Sequence, residues 1–281
     1  MTNSFSSVIK SHANPKIRRL LKIKDNRQRR KAKHVLVDGW RETGHALRAG
    51  LELQGLYLAV EQYEKLSQAN SMMEMTIIQH AEAKHRLTLV TQRIAEKIAF
   101  GQSPRGVVAE FLEPQDNLES IHLSSNPLIL ILDRIEKPGN LGAIFRSGDA
   151  AGVDAILLCE CTDRFNPNAI RNSQGTIFHV PSACGSQAEI NTILEKHRIV
   201  ARAARVESSD QLWDCDLSMP TAIILGNEAK GLGERWSESY AGAISGISIP
   251  MNGQVDSLNV SVTAAVITME AARQRHSLSL P

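Results

Sequence analysis

Leu128-Ile129-Leu130-Ile131-Leu132 is apolar at every position and stops at Asp133. A half-exposed strand alternates apolar and polar residues. A run without alternation has both faces covered, which is the mark of a parallel strand between helical layers. Residues 155–158 (Ala-Ile-Leu-Leu) and 222–225 (Ala-Ile-Ile-Leu) repeat the pattern. Each run leads into a polar or glycine-containing loop, and a helical stretch follows the first of them. The spacing predicts βαβ units with loops gathered at the C-terminal edge of the sheet, where open α/β folds bind ligands.

The chain before residue 113 is patterned differently. Short strands are expected at 34–37, 56–60, 76–78 and 107–109, and helices at 11–24, 40–47, 62–70 and 94–100. These make a small α/β domain of ~100 residues. Residues 113–126 are polar, contain Pro114 and carry few large apolar side chains. The organisation expected is a first domain over 1–113, a linker over 114–126 and a second domain over 127–281. In the second domain, further strands are expected at 177–180 and 199–201 and a helix at 187–196. A length of 281 residues suits two ordinary domains, and 42% hydrophobic with 22% charged residues are globular values.

No apolar run approaches the ~20 residues that span a bilayer. The N-terminus lacks the charged-then-apolar pattern of a secretion signal. The expectation is a soluble, cytoplasmic protein with no membrane partner. Cys159, Cys161, Cys184 and Cys215 have neither metal-ligand spacing nor a small disulfide framework around them, so free thiols and no metal are expected. Net charge is only +2 but unevenly spread: Lys16, Arg18, Arg19, Lys22, Lys24, Arg27, Arg29, Arg30, Lys31 and Lys33 crowd a stretch whose one acid is Asp25. Most charge runs are solvated faces. This density points instead to a polyanion, because neutralising phosphates is the main source of nucleic-acid affinity.

Three strand-terminal loops stand out: 133–146, 226–233 and 249–259. The glycine-rich second loop lacks the Lys-Ser/Thr end of a P-loop, and Gly139 and Gly142, read as flanking a tight turn into a helix, do not satisfy the dinucleotide fingerprint. In the third, Asp256, Ser257, Asn259 and Ser261 crowd a strand–loop–helix junction that needs one cap. Ser257 is the expected N-cap of a final helix carrying Leu258, Val262, Ala265, Met269 and Ala272 at helical spacing. An over-capped helix and a ligand site at its free amides are both compatible with that pattern.

Together and in this order, the loops resemble the three motifs of the SpoU (TrmH-like) RNA 2′-O-ribose methyltransferases of the SPOUT superfamily. Asp133-Arg134-Ile135-Glu136-Lys137-Pro138-Gly139-Asn140-Leu141-Gly142-Ala143-Ile144-Phe145-Arg146 is similar to the first. Leu225-Gly226-Asn227-Glu228-Ala229-Lys230-Gly231-Leu232 is similar to the second, and Ile249-Pro250-Met251 through Ser257-Leu258-Asn259-Val260-Ser261 to the third. Leu36-Val37-Asp38-Gly39 and Pro104-Arg105-Gly106-Val107-Val108-Ala109 carry a weaker resemblance to the L30e-like substrate-binding domain of the family's ribosomal-RNA members. Asp38 stands where Glu is common, and Gly148 where Ala is frequent.

The resemblance implies an α/β fold: a C-terminal SPOUT domain with a deep trefoil knot, plus the smaller L30e-like domain. It implies S-adenosylmethionine as cofactor, RNA as partner (ribosomal RNA favoured over transfer RNA) and a homodimer through the C-terminal domain. Leu225, Gly226, Ile249, Leu258 and Asn259 would contact the cofactor. Asn140 and Arg146 would act on the RNA ribose and phosphate, and Glu228, Ser257 and Asn259 would shape the site. The family's base position falls on Arg146. A guanidinium stays protonated at neutral pH, so its role is read as holding the target phosphate and stabilising a developing alkoxide. The competing readings are a catalytically inactive RNA-binding dimer and, more remotely, a phosphate-binding nucleotide enzyme.

Overall fold

Asn14 begins the first ordered helix of this computed structural model. Its side-chain oxygen accepts from Lys16 N at 2.9 Å, and Pro15 fills the first helical position of α1 (Pro15–Ile23). The structure describes residues 8–69, 71–100, 106–115, 117–227, 229–236 and 244–278. Asp25 caps a second short helix, α2 (Asn26–Ala32), through Gln28 N at 3.0 Å. Then follow β1 (His34–Asp38), α3 (Trp40–Arg48), β2 (Leu53–Ala59), α4 (Val60–Gln68), α5 (Met72–Ala83), β3 (Leu87–Val90), α6 (Gln92–Ile98) and β4 (Val107–Leu112). The strands form one mixed sheet in the order β1-β4-β2-β3. Ile17, Leu20 and Ile23 pack with Leu36, Tyr57, Val90 and Ile94 into its core.

Not all of the basic run faces solvent. Glu110, fully buried on β4, takes Arg19 Nη2 at 2.5 Å and His34 Nδ1 at 2.8 Å. Arg29 is only 1% exposed and donates to Asn26. Lys24 donates to the Lys97 and Ala99 carbonyls and lies over the Phe100 ring, and burial lowers its pKa. Lys33 stands 3.8 Å from Glu113. Lys16, Arg18, Lys22, Arg27, Arg30 and Lys31 are exposed and have no side-chain partner among the described residues. We predict that reversing Arg27, Arg30 and Lys31 to Glu leaves the circular dichroism spectrum unchanged. RNA affinity, measured across a salt series, falls, and the log–log slope drops by about 1 for each phosphate no longer neutralised. An unchanged slope returns these residues to a solvated face.

The second sheet is parallel throughout, in the order β10-β8-β9-β5-β6-β7. Its elements are β5 (Leu128–Asp133), α7 (Pro138–Ala151), β6 (Ala155–Cys159), α8 (Pro167–Ser173), β7 (Ser182–Cys184), α9 (Gln187–His197), β8 (Val200–Ala204), β9 (Thr221–Leu225), β10 (Ser245–Ile247) and α10 (Val260–Leu278). The three apolar runs become β5, β6 and β9, with every residue buried. Ser186 and Glu189 form a reciprocal capping box on α9.

The chain divides into two units by packing, Met1–Gln115 with Phe165–His179, and Asp116–Arg164 with Val180–Pro281. The excursion after β6, placed by the sequence reading within the second domain, carries α8 and packs within the first unit. There Arg171 Nη2 donates to Asp38 Oδ2 at 3.0 Å and to Phe100 O at 2.6 Å, and His179 stacks on His45.

Several local expectations are corrected. Residues 76–78 are in α5, because Ile77, Ile78 and Ala81 share one buried helical face. Residues 177–180 make no strand: Thr176–Phe178 is a 3-10 turn, and the edge strand is β7. Gly139 and Gly142 lie inside α7 and flank no turn. The turn precedes them, at Arg134 with φ +56°. The final helix also turns a different face inward. Ala264, Ile267, Thr268 and Ala271 are buried, whereas Val262 and Met269 are 45% and 46% exposed.

Arg275, near the end of α10, donates to the carbonyls of Leu217, Asn126, Pro127 and Met219 at 2.7–3.2 Å, and burial lowers its pKa. It thereby ties the last helix to the N-terminal edge of β5 and β9. Arg275→Ala is expected to destabilise the second unit by about 2–3 kcal/mol, read in urea unfolding, because several partly buried carbonyls lose a charged donor. Arg275→Lys should recover only part, since an ammonium cannot reproduce the planar fork.

Candidate active site

Parallel register sets which loops meet. Leu132 lies opposite Leu225, Ala203 opposite Ile224, and Ile247 opposite Ala204. Strands ending at one level send the segments after 133, 204, 225 and 247 out of the same sheet edge. They enclose a cavity of about 630 Å³, within the range of small-molecule sites. Its apolar surface includes Leu225, Ile247, Leu258 and Ile267. Its polar lining mixes signs, with Arg205 and Lys230 beside Glu207.

The second-motif loop is shaped by its own backbone. A Cβ on Gly226 would come 2.5 Å from Gly231 C and 2.6 Å from Leu232 N. Glycine there admits a close return of the chain. Asn227 is 8% exposed. Its side chain accepts from Ala229 N and Lys230 N at 2.9 and 3.0 Å and donates to Arg134 O at 3.0 Å, joining the second motif to the first. Gly231 and Gly233 have φ of +59° and +56°, the left-handed region, and a Cβ on either would meet nothing within 4 Å.

Leu225, Gly226, Ile249, Ser257, Leu258 and Asn259 all line this cavity. Asn140 does not, but it is joined to one that does: Asn259 Nδ2 donates to Asn140 Oδ1 at 3.3 Å. Arg146 is exposed on α7, away from the lining, with no side-chain partner among the described residues. Glu228 lies outside the described residues. Ser257 is not the helix cap. The helix starts at Val260, and Asn259 caps it, accepting from Ser261 N at 2.9 Å and Ser261 Oγ at 2.7 Å. The polar crowd therefore resolves into one Asx cap, and of the helix's first amides that of Ser261 is already taken.

Sequence reasoning missed Arg205, Asn227 and Arg235. Asn227 stood in a quoted motif, where an Asx turn before two glycines was a usable signal. The other two act through partners distant in sequence. Arg235 Nη2 stands 3.2 Å from Asp133 Oδ1, and Arg134 Nε donates to Oδ2 at 3.0 Å. Burial would lower the Arg235 pKa, but its hydrogen bonds to Glu160 and the charge of Asp133 outweigh that and raise it. Burial, with Asp133 nearby, pushes the Cys159 thiol up to about 11, and burial pushes Cys161 up to about 12. Both stay protonated at neutral pH, which removes them as nucleophiles. Among the described residues, no cluster of three or more His, Cys, Asp or Glu could hold a metal, and no helix is long and apolar enough to cross a membrane.

Residues 127–269 match the SpoU rRNA Methylase family, and residues 14–109 match the MRM3-like substrate binding domain. The chain is 33% identical over 185 residues to the 23S rRNA (uridine(2479)-2'-O)-methyltransferase of Streptomyces viridochromogenes, an alignment covering 63% of each chain. It is 31% identical over 214 residues to the 23S rRNA (guanosine-2'-O-)-methyltransferase RlmB of Pasteurella multocida, covering 68% of this chain and 82% of that one. A solved RNA 2'-O ribose methyltransferase superposes with a TM-score of 0.79 at 34% identity, over 96% of this chain and 100% of the other. The SpoU methyltransferase AviRb from Streptomyces viridochromogenes, solved with AdoMet, gives 0.78 at 26% identity, over 94% and 99%. These likenesses carry the α/β SPOUT fold expected from the three motifs.

Proposed function

Because this chain belongs to the SpoU rRNA Methylase family, we propose that it transfers the methyl group of S-adenosylmethionine to a ribose 2′-hydroxyl of ribosomal RNA. The observation that carries the reading is the single cavity edge at which all three motif segments meet. Its chemistry suits this cofactor. An apolar floor takes an adenine, backbone groups of the glycine loop take its edges and ribose, and a mixed-sign rim suits a zwitterionic methionine moiety with a cationic sulfur. A triphosphate would require the basic P-loop end that this loop lacks.

The bound cofactor supplies an electrophilic methyl group; this chain's residues must position it and prepare the hydroxyl. Leu225, Gly226, Ile249, Leu258 and Asn259 form the cofactor walls. Asn140, bonded to Asn259, stands at the lip of the cavity and orients the ribose, so that in-line geometry contributes several kcal/mol. Arg146 holds the target phosphate and stabilises charge developing on the 2′-oxygen, and the hydroxyl proton leaves through that phosphate. Glu228 and Ser257 shape the loops around the ribose.

The first unit supplies RNA affinity through the six basic side chains of α1 and α2 that are exposed and have no side-chain partner among the described residues. Ribosomal RNA is favoured over transfer RNA by the substrate-binding domain that residues 14–109 match, and a cytoplasmic location follows from that substrate. We also assign a homodimer through the second unit. Val262 and Met269 lie two turns apart on one face of α10, and that exposed apolar row suits a second copy. A methyl-transfer assay with labelled cofactor on ribosomal and transfer RNA tests the reading. Ribosomal RNA is labelled at a ribose, and absence of transfer to either RNA with intact cofactor binding would favour an RNA-binding dimer without activity.

A further inference from the structure

Asp133 ends β5 with its carboxylate fully buried, and a buried charge persists only where it is paired. Its partners are Arg134, next in sequence, and Arg235, beyond the glycine-rich loop. Arg235 also spreads its guanidinium over Glu160, just after β6, with Nη1 3.2 Å from both carboxylate oxygens. The same segment is held a second time. Arg205, just after β8, donates from Nη1 to Gly233 O at 2.5 Å and from Nη2 to Arg235 O at 2.9 Å. Arg134 Nη2 adds a contact to Leu232 O at 3.5 Å. The far end of the loop that walls the cavity is thus fastened to the ends of three strands, and Arg235 itself is not among the lining residues.

We propose that Arg235 is a positioning residue for the cofactor: its guanidinium, held by Asp133 and Glu160, fixes the wall formed by residues 229–233 in its binding shape before any ligand arrives. The inference rests on the methyltransferase reading above. A wall already ordered spares the ligand the cost of ordering it, so loss of the clamp appears in cofactor affinity rather than in the chemical step. The carboxylate that holds Arg235 also starts the turn into α7, so the second motif is registered against the strand end that leads to Asn140.

The test is calorimetric titration of the full chain with S-adenosylmethionine, beside steady-state kinetics and RNA binding. Arg235→Ala is expected to raise the cofactor Kd and KM at least about tenfold, with kcat at saturating cofactor within about threefold and RNA affinity unchanged. Arg235→Lys, which keeps a charge opposite Asp133, should recover part of the affinity. Glu160→Ala, which removes only the outer partner, should weaken binding by a few-fold. If Arg235→Ala does not fold, the other two variants decide: graded loss of cofactor affinity supports the clamp, and wild-type affinity in both overturns it. Wild-type affinity in a folded Arg235→Ala overturns it directly. So does an equal loss of kcat and RNA affinity that Lys does not rescue, which would mark a general structural role. If the wild-type chain itself fails to bind S-adenosylmethionine, the methyltransferase reading falls and this inference falls with it.

Discussion

Replacing Arg146 by Ala is expected to lower methyl transfer at least about 100-fold, the usual cost of removing one preorganised donor from developing charge, while S-adenosylmethionine affinity stays within a few-fold. The expectation comes from where the side chain stands. Arg146 lies six residues beyond Asn140 on α7, which places it roughly 9 Å further along the helix and about 120° round it. Asn140 meets the cavity lining through Asn259; Arg146 is exposed, lines no part of the cavity and has no side-chain partner among the described residues. A guanidinium so placed is open to an RNA phosphate and forms no part of the cavity lining. Arg146→Lys should restore little, because an ammonium keeps the charge but not the bidentate fork. The measurement is single-turnover transfer of labelled methyl beside calorimetric cofactor titration. Equal loss of cofactor affinity and turnover would remove Arg146 from the RNA side of the reaction.

The parts of this molecule legible in sequence are those decided by local pattern. β5, β6 and β9 were legible because burial on both faces leaves no polar residue in the run. α1 was legible from Asn14, Pro15 and the spacing of Ile17 and Leu20. Residues 76–78 misled because Thr-Ile-Ile is β-branched, while the face formed by Ile77, Ile78 and Ala81 in α5 is set by packing. The last helix misled because apolar residues lie on more than one of its faces. The stripe through Val262 and Met269 has the right period, but Ala264, Ile267 and Ala271 are the buried residues. The motif residues were found as three separate strings; that their segments converge is a property of strand order. The basic run could be read for its charge. That Arg19 is taken by Glu110 depends on β4, far along the chain, and the burial of Arg29 is set by packing that no local pattern shows. For the same reason the sequence showed Asp133 as the end of a strand and the start of the first motif but not its ion pair, since its partner Arg235 lies on another loop.

Gly226→Val is expected to abolish cofactor binding, by more than about 100-fold in Kd, while the first unit still binds RNA. The cause is in the loop's own backbone. Any Cβ at this position would come 2.5–2.7 Å from the backbone of Gly231 and Leu232, contacts that no flexible side chain can relieve. The loop must then open. Opening it strains the Asn227 side-chain bonds to Ala229 N, Lys230 N and Arg134 O, and it moves the wall that carries Gly231 and Gly233. Even Ala should therefore be damaging here, which exclusion of the ligand alone would not require. Gly253 provides the control: it lies in the third motif, a Cβ on it would meet nothing within 4 Å, and its φ lies outside the left-handed region. Gly253→Ala should bind S-adenosylmethionine like the wild type. Calorimetric titration of the three variants, with circular dichroism to confirm folding, gives the answer. A folded Gly226→Val that binds the cofactor at wild-type affinity would place the pocket elsewhere and undo the assignment of these loops.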